Sequence, residues 1–102
     1  MTDAFDQPRA GGSDRLSARS SGTVRVVGAG LLGASIGHAL VALGVDVVLA
    51  DTSPAQLRLA IDYGAGRAAR ETDDPSLVVV SVPPDVTADV VAAELARFPD
   101  AV

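Results

Sequence analysis

The sequence contains no cysteine, no tryptophan and no lysine, and its only aromatic residues are Phe5, Tyr63 and Phe98. The absence of cysteine excludes disulfides, thiolate catalysis and cysteine metal sites. The single histidine, His38, cannot form a metal cluster alone. So few aromatic side chains also leave no platform on which nucleobases could stack. We therefore predict that the chain has no metal site.

Positive charge is scarce as well. Eight arginines face 13 acidic residues, which gives a net charge of −5, and the arginines are scattered along the chain. A basic surface for polyanions is therefore excluded, and we expect no nucleic-acid partner. No apolar run approaches the roughly 20 residues of a membrane span, and the amino terminus lacks the apolar core of a secretory signal. The sequence predicts a cytoplasmic protein without a membrane segment.

Apolar residues are abundant and make up 48% of the 102 residues, which is enough for one packed domain. The first 22 residues differ from the rest, because they are rich in Gly, Ser, Arg and Asp and show no apolar period. We predict that residues 1–22 form a disordered tail. The composition changes at Thr23, and residues 23–102 are predicted to form one folded domain.

Short apolar runs alternate with helical patterns throughout this domain. The predicted strands are 23–28, 45–51, 67–71 and 76–82, and the predicted helices are 31–43, 53–64 and about 85–97. This alternation indicates an α/β fold, a Rossmann-type parallel sheet with helices on both faces. Because Ala101 and Val102 look like the first residues of a fifth strand, we expect a domain that is truncated at its carboxyl end.

Helix periodicity predicts which faces are buried. In the first helix, one apolar stripe spans about a quarter-turn and should face the core, with His38 exposed on the opposite side. The stripe consists of Leu32, Ile36, Ala39, Leu40 and Leu43. The apolar contacts predicted for the third helix are Val86, Val90, Val91 and Leu95. Gly44 is predicted to cap the first helix in a left-handed conformation, and Ser53 and Pro54 are predicted to begin the second.

The glycines Gly28, Gly30 and Gly33 spell GxGxxG directly after a strand and at the start of a helix. In this context the motif indicates dinucleotide binding, because the first glycine permits a tight turn and the second lets the backbone approach a pyrophosphate. The third lets the helix lie close to the strand, and the helix amino terminus favours phosphate. Leu31 and Leu32, between the second and third glycines, are also predicted to contact the cofactor. Close packing without a ligand explains Gly33, but does not explain Gly28 and Gly30 together.

Asp51 ends the second strand 18 positions after Gly33, close to the spacing of about 20 residues expected for an acidic residue that binds ribose. A carboxylate there accepts hydrogen bonds from the ribose diol and repels a 2′-phosphate, so NAD is favoured over NADP. Thr52 follows it in the predicted site, and Arg58 is the only cation nearby in the sequence. The alternative role for Asp51 is that of a carboxylate near a helix amino terminus.

Ser81, Val82 and Pro83 mark the end of the fourth predicted strand. Ligands of open α/β sheets bind beside the carboxyl ends of the strands. We therefore predict that these three residues line the nicotinamide half of the cofactor site. The alternative is that these residues have no role in binding and that Pro83 only terminates the strand.

Three segments of the chain, VRVVGAGLLGASIGHAL, VVLADTS and SLVVVSVPPDV, resemble the amino-terminal domain of prephenate dehydrogenases, enzymes of tyrosine biosynthesis. The similarity extends over about residues 23–102. Its most specific part is GLLGASIG, in which Leu31 and Leu32 separate the last two glycines of the motif and Ser35 follows. The related β-hydroxyacid dehydrogenases usually have methionine where this chain has Leu32.

The resemblance implies oxidative decarboxylation of prephenate to 4-hydroxyphenylpyruvate with NAD as the oxidant. The catalytic histidine, substrate-binding arginines and serine of that family lie past Val102, so no catalytic residue is predicted here and the chain alone should be inactive. The resemblance also implies a homodimer for the full-length protein. The alternatives are the cofactor domain of an arogenate or β-hydroxyacid dehydrogenase, or a non-catalytic nucleotide-binding module. Flavin and S-adenosylmethionine remain alternative ligands of the glycine-rich turn.

Overall fold

The computed structural model describes residues 22–102, so the predicted tail lies, except for Gly22, outside the described residues. The elements are β1 (Thr23–Val27), α1 (Leu31–Ala42), β2 (Asp46–Ala50), α2 (Pro54–Tyr63), β3 (Arg67–Ala68), β4 (Leu77–Val80) and α3 (Pro84–Arg97). The four strands form a parallel sheet in the order β3-β2-β1-β4. The predicted Rossmann-type α/β fold is confirmed. Among the described helices, none is both long and apolar enough to cross a membrane.

β1 is the centre of the sheet, because β2 pairs with one edge and β4 with the other. Val24 of β1 lies opposite Val47 of β2 and Leu77 of β4. Val24 and Val26 are fully buried and pack in one cluster with Leu49. The carboxyl ends of three strands therefore meet at one edge of the sheet, where the glycine motif follows β1.

α1 turns its glycines toward the sheet. Gly33 and Gly37 are its two buried residues. A Cβ on Gly33 would overlap the carbonyl oxygen of Gly28, and a Cβ on Gly37 would overlap that of Ala65. The helix lies so close to the backbone beneath it that no side chain fits between them.

The predicted apolar stripe of α1 therefore does not form the buried face, and that prediction was wrong. Leu32 is 65% exposed and Leu43 56% exposed, and only Leu40 and Ile36 of the stripe are half-buried. Periodicity identified an apolar stripe, but the closest approach to the sheet belongs to the residues without side chains. His38 is exposed, as predicted, and its ring lies 4.8 Å from that of Tyr63.

The predicted helix ends are confirmed. Gly44 has a φ of 84°, and its N–H donates to the carbonyl of Val41 at 2.9 Å. At the start of α2, the hydroxyl of Ser53 accepts a hydrogen bond of 3.2 Å from the N–H of Gln56, and Pro54 occupies the first helical position. These local signals were sufficient because each depends on neighbouring residues only.

The outer strands are shorter than predicted. β3 contains two residues instead of 67–71, and β4 spans 77–80 instead of 76–82. The residues of β4 are half-buried, because β4 lies at the edge of the four-stranded sheet and Val78 and Val80 line an open groove beside α3. On its outer edge, the N–H of Val78 donates to Val102 at 2.8 Å and the N–H of Val102 donates to Ser76 at 2.9 Å. These are the two hydrogen bonds of a parallel pairing.

α3 begins at Pro84, and none of its 14 residues is buried. Of its predicted apolar contacts, Val90 is half-buried, whereas Val86, Val91 and Leu95 are exposed. For these three residues the prediction was wrong, because α3 lies over an edge strand. Val91 and Leu95 line an open groove with β4.

Instead, a buried ion pair joins α3 to the centre of the sheet. Arg25 of β1 is 6% exposed, and its guanidinium donates two hydrogen bonds to the carboxylate of Glu94, at 2.7 and 3.2 Å. The guanidinium also lies 5.3 Å from the centre of the Phe98 ring. A paired arrangement of this kind satisfies the arginine charge that the apolar surroundings would otherwise penalise.

Gly37→Ala tests the close packing of α1. The added Cβ must push the helix away from Ala65, and we expect the free energy of unfolding to fall by roughly 1–3 kcal/mol. Gly30→Ala is the matched control, since a Cβ there would meet only the flexible Gln56 side chain at 3.6 Å. Urea denaturation of both variants measures the difference. Equal midpoints for Gly37→Ala and the wild type would contradict the close contact.

Glu94→Ala tests the buried ion pair. Removing the carboxylate leaves the Arg25 charge buried without its partner, and we expect a loss of about 3 kcal/mol in the free energy of unfolding. The control is Asp62→Ala, which breaks the exposed pair between Arg58 and Asp62 and should change stability by less than about 1 kcal/mol. If both variants lose the same small amount in thermal or urea unfolding, the pair does not hold α3 on the sheet.

Candidate functional site

The turn after β1 is tightly packed against the neighbouring backbone. Gly28 has a φ of 95°, and its N–H donates to the carbonyl of Ala50 at 2.8 Å. A Cβ at this position would overlap the carbonyl oxygen of Ser81. Both the backbone conformation and the space therefore require glycine, because the turn passes between the ends of β2 and β4. The tight turn predicted for Gly28 is therefore present, and protein packing alone accounts for this glycine.

Gly30 is different, because protein packing does not require a glycine there. Its backbone is extended, with φ of −72° and ψ of −166°, and a Cβ would approach only the side chain of Gln56, at 3.6 Å or more. Gly30 is the N-cap residue, directly before the first residue of α1. The missing side chain leaves open space in front of the helix amino terminus, as a dinucleotide pyrophosphate requires.

The amino terminus of α1 is not capped by a side chain within the described residues. Its first backbone hydrogen bond runs from Ala34 to the carbonyl of Gly30, at 2.8 Å. The N–H groups of Leu31, Leu32 and Gly33 precede that bond, so no carbonyl of the helix can accept from them. Free N–H groups and the positive end of the helix dipole together form a site suited to phosphate.

Asp51 connects this turn with the end of β2. Its Oδ2 accepts hydrogen bonds of 2.7 Å from the backbone N–H of Ala29 and of 2.7 Å from the side-chain amide of Gln56. Its Oδ1 accepts a hydrogen bond of 2.8 Å from the N–H of Ser53. The carboxylate is therefore held beside the glycine-rich turn, with both oxygens oriented by main-chain donors.

These contacts keep Asp51 ionised. Partial burial of the carboxylate raises its pKa, but the hydrogen bonds that it accepts lower the pKa and together outweigh burial. In decreasing order, these bonds come from Ser53, Ala29, Gln56 and Thr52. The pKa of Asp51 therefore lies below its ordinary value of 3.8. Around neutral pH the side chain is an acceptor only, which suits it to the two hydroxyl groups of a ribose.

The structure gathers the predicted site residues at the carboxyl ends of β1, β2 and β4. Ser81 donates its N–H to Val27 at 2.8 Å, and a Val82 methyl group lies 3.0 Å from the place of a Cβ on Gly28. Pro83 follows at the start of α3. The residues so placed are Gly28, Gly30, Leu31, Leu32, Gly33, Asp51, Thr52, Ser81, Val82 and Pro83.

Two residues near Asp51 differ from the expectation. Arg58 points away into solvent and pairs with Asp62 at 3.3 Å. Arg70, from the loop after β3, instead lines a cavity of about 320 Å³ together with Asp51. The sequence could not place Arg70 there, because only the strand order brings that loop beside the end of β2.

Gln56 is the functional-site residue that sequence reasoning missed. A signal was present, since Ser53 and Gln56 have the S-x-x-Q spacing of a capping box. That motif predicts an amide near the amino terminus of α2, although not its contact with Asp51. Among the described residues, no group of three or more His, Asp or Glu side chains is placed to hold a metal ion.

Known proteins are similar to this chain in sequence and in fold. The sequence profile of the 3-hydroxyacyl-CoA dehydrogenase NAD-binding domain matches residues 23–91. The probable prephenate dehydrogenase NovF of Streptomyces niveus is 45% identical over 75 residues, which are 74% of this chain and 21% of that protein. The crystal structure of Synechocystis arogenate dehydrogenase matches 78% of this chain and 31% of its own, with a TM-score of 0.68 and 18% identity.

The solved structure shows the fold alone, since its sequence identity is low. The chain spans about a fifth of the length of NovF, 21%, so the comparison with that protein concerns one domain. Within that domain, the predicted resemblance to prephenate dehydrogenases is confirmed, and NAD is the cofactor that the matching profile names. Because the profile covers the glycine-rich turn, β2 and most of α3, the chain belongs to the family of the 3-hydroxyacyl-CoA dehydrogenase NAD-binding domain.

Proposed function

We propose that this chain is the NAD-binding domain of a prephenate dehydrogenase, which converts prephenate to 4-hydroxyphenylpyruvate by oxidative decarboxylation in tyrosine biosynthesis. The assignment to prephenate rests on the 45% identity with a probable prephenate dehydrogenase. The proposal implies a cytoplasmic enzyme and, for the full-length protein, a homodimer.

The observation that supports the cofactor role is the hydrogen bond between Asp51 and the N–H of Ala29. It joins the proposed ribose-binding carboxylate to the proposed pyrophosphate-binding turn. The N–H groups at the start of α1 would hold the pyrophosphate, the open space at Gly30 would admit it, and Asp51 would accept hydrogen bonds from the adenosine ribose. When bound, NAD supplies the oxidant that takes a hydride from the substrate.

The residues at the end of β4 have a different proposed role. Ser81 and Val82 lie on the side of Gly28 opposite to Asp51, because β4 and β2 flank β1. We assign them, with Pro83, to the nicotinamide half of the cofactor. In this chain they would shape the pocket and exclude water from it, since Val82 and Pro83 have apolar side chains without a titratable group.

Arogenate is the second candidate substrate, because the fold also matches an arogenate dehydrogenase. A β-hydroxyacid substrate is less well supported, since the 45% identical relative is a probable prephenate dehydrogenase. A module that binds NAD without catalysis would share every feature of the site described above.

Asp51→Ala tests the cofactor site. Loss of the acceptor for the ribose diol should weaken NAD binding about 10- to 100-fold, the effect of hydrogen bonds to a charged group. Wild-type protein should bind NADP more weakly than NAD, because the carboxylate repels a 2′-phosphate, and the variant should narrow that difference. Isothermal titration with both dinucleotides measures the affinities, and the control is Asp62→Ala, which removes an exposed carboxylate near the end of α2.

The assignment of Asp51 fails if NADP binds the wild type as well as NAD does and Asp51→Ala changes neither affinity. FAD is titrated in parallel, because flavin-binding domains also use glycine-rich turns. Tight FAD binding with weak NAD binding would contradict the choice of cofactor.

A domain exchange tests whether this chain serves as the NAD-binding domain of a prephenate dehydrogenase. Residues 23–97 replace the matching segment of NovF, with unmodified NovF as the reference. We expect the chimera to reduce NAD in the presence of prephenate, followed by absorbance at the NADH band, and the isolated chain to bind NAD without turnover. A folded chimera that binds NAD but oxidises neither prephenate nor arogenate would contradict the proposal.

A further inference from the structure

One side chain occupies the position where the ribose is proposed to bind. The amide of Gln56 donates a hydrogen bond of 2.7 Å to Oδ2 of Asp51, the same oxygen that accepts from Ala29. A carboxylate oxygen has two lone pairs, and on Oδ2 both of them are engaged. A ribose diol that binds both carboxylate oxygens therefore needs the acceptor position that Gln56 holds.

We propose that Gln56 is a displaceable partner of Asp51, which takes the place of a ribose hydroxyl in the cofactor-free protein and thereby sets the affinity for NAD. The inference rests on the proposed binding of the adenosine ribose by Asp51. On binding, the hydroxyl replaces the Gln56 amide on Oδ2, and the exposed amide turns into solvent.

Asp51 does not need Gln56 for its orientation. The N–H of Ala29 holds Oδ2 and the N–H of Ser53 holds Oδ1, and both donors belong to the backbone. Without Gln56 the carboxylate keeps a fixed donor on each oxygen. The Gln56 side chain, in contrast, is exposed and free to change rotamer.

The start of α2 does not depend on the Gln56 side chain either. In a capping box the side chain of the third helical residue reaches back to the N–H of the capping residue. Here the N–H of Ser53 is donated to Asp51 instead, and the Ser53 hydroxyl caps the backbone N–H of Gln56. The amide is therefore available for Asp51 without cost to the helix end.

The location of the amide also matches that of a ligand. Its Nε2 lies 3.6 Å from the place of a Cβ on Gly30, in the space that protein packing leaves open before α1. The Gln56 amide thus lies between the glycine that admits the pyrophosphate and the carboxylate that accepts the ribose. A dinucleotide that contacts both must move it.

Gln56→Ala provides the test, with NAD, ADP and 2′,3′-dideoxy-ADP as the titrated ligands. Removing the competing amide should lower the dissociation constants for NAD and ADP about threefold to tenfold. The affinity for 2′,3′-dideoxy-ADP should stay unchanged, because this ligand has no hydroxyl to take the freed position. Arg58→Ala, an exposed neighbour on α2, is the matched control and should change none of the three affinities.

Thermal melts establish that the variants are folded at the temperature of titration. Unchanged or weaker NAD binding by folded Gln56→Ala overturns the proposal, and weaker binding assigns Gln56 to the ligand contacts instead. An equal gain for ADP and its dideoxy analogue also overturns it, because Gln56 would then obstruct by size. Wild-type protein that binds neither NAD nor ADP refutes the proposed function itself, whereas normal wild-type binding with an indifferent variant refutes only the role of Gln56.

Discussion

The close approach of α1 to the end of β1 is the constraint on which the rest of the site depends. Gly33 lies so near the carbonyl of Gly28 that any side chain would collide with it. This contact fixes the height of the helix above the sheet and points its amino terminus at the turn. The open amino terminus of α1, where we propose that the pyrophosphate binds, is thus a consequence of backbone packing between two glycines.

Asp51 extends that arrangement to the neighbouring strand. By accepting from Ala29 and Ser53, its carboxylate ties the turn after β1 to the turn after β2. The same hydrogen bonds that lower the pKa of Asp51 also orient its carboxylate. They therefore keep the side chain both ionised and in place. Of the donors to Asp51, only Gln56 uses a side chain. A ligand that takes the place of the Gln56 amide, as we propose, would therefore leave both turns undisturbed.

The opposite face of the sheet is built on different principles. Arg25 lies in the middle of the central strand, where an apolar residue would be expected, and it is satisfied by Glu94 and the ring of Phe98. This interaction holds the carboxyl-terminal half of α3, although the apolar side chains of that helix remain exposed. Patterns of hydrophobic residues could not reveal it, since the partners are 69 positions apart.

By itself, the sequence determined the alternation of strands and helices, the capping residues and the glycine-rich turn, because each depends on neighbours within a few positions. The resemblance to prephenate dehydrogenases was likewise readable from GLLGASIG. Only the tertiary structure decided which face of α1 is buried, that packing explains Gly28 but not Gly30, and that Gln56 and Arg70 lie beside Asp51. These features arise where separate strands end side by side, and their distances follow from sheet order and helix height, which no local pattern encodes.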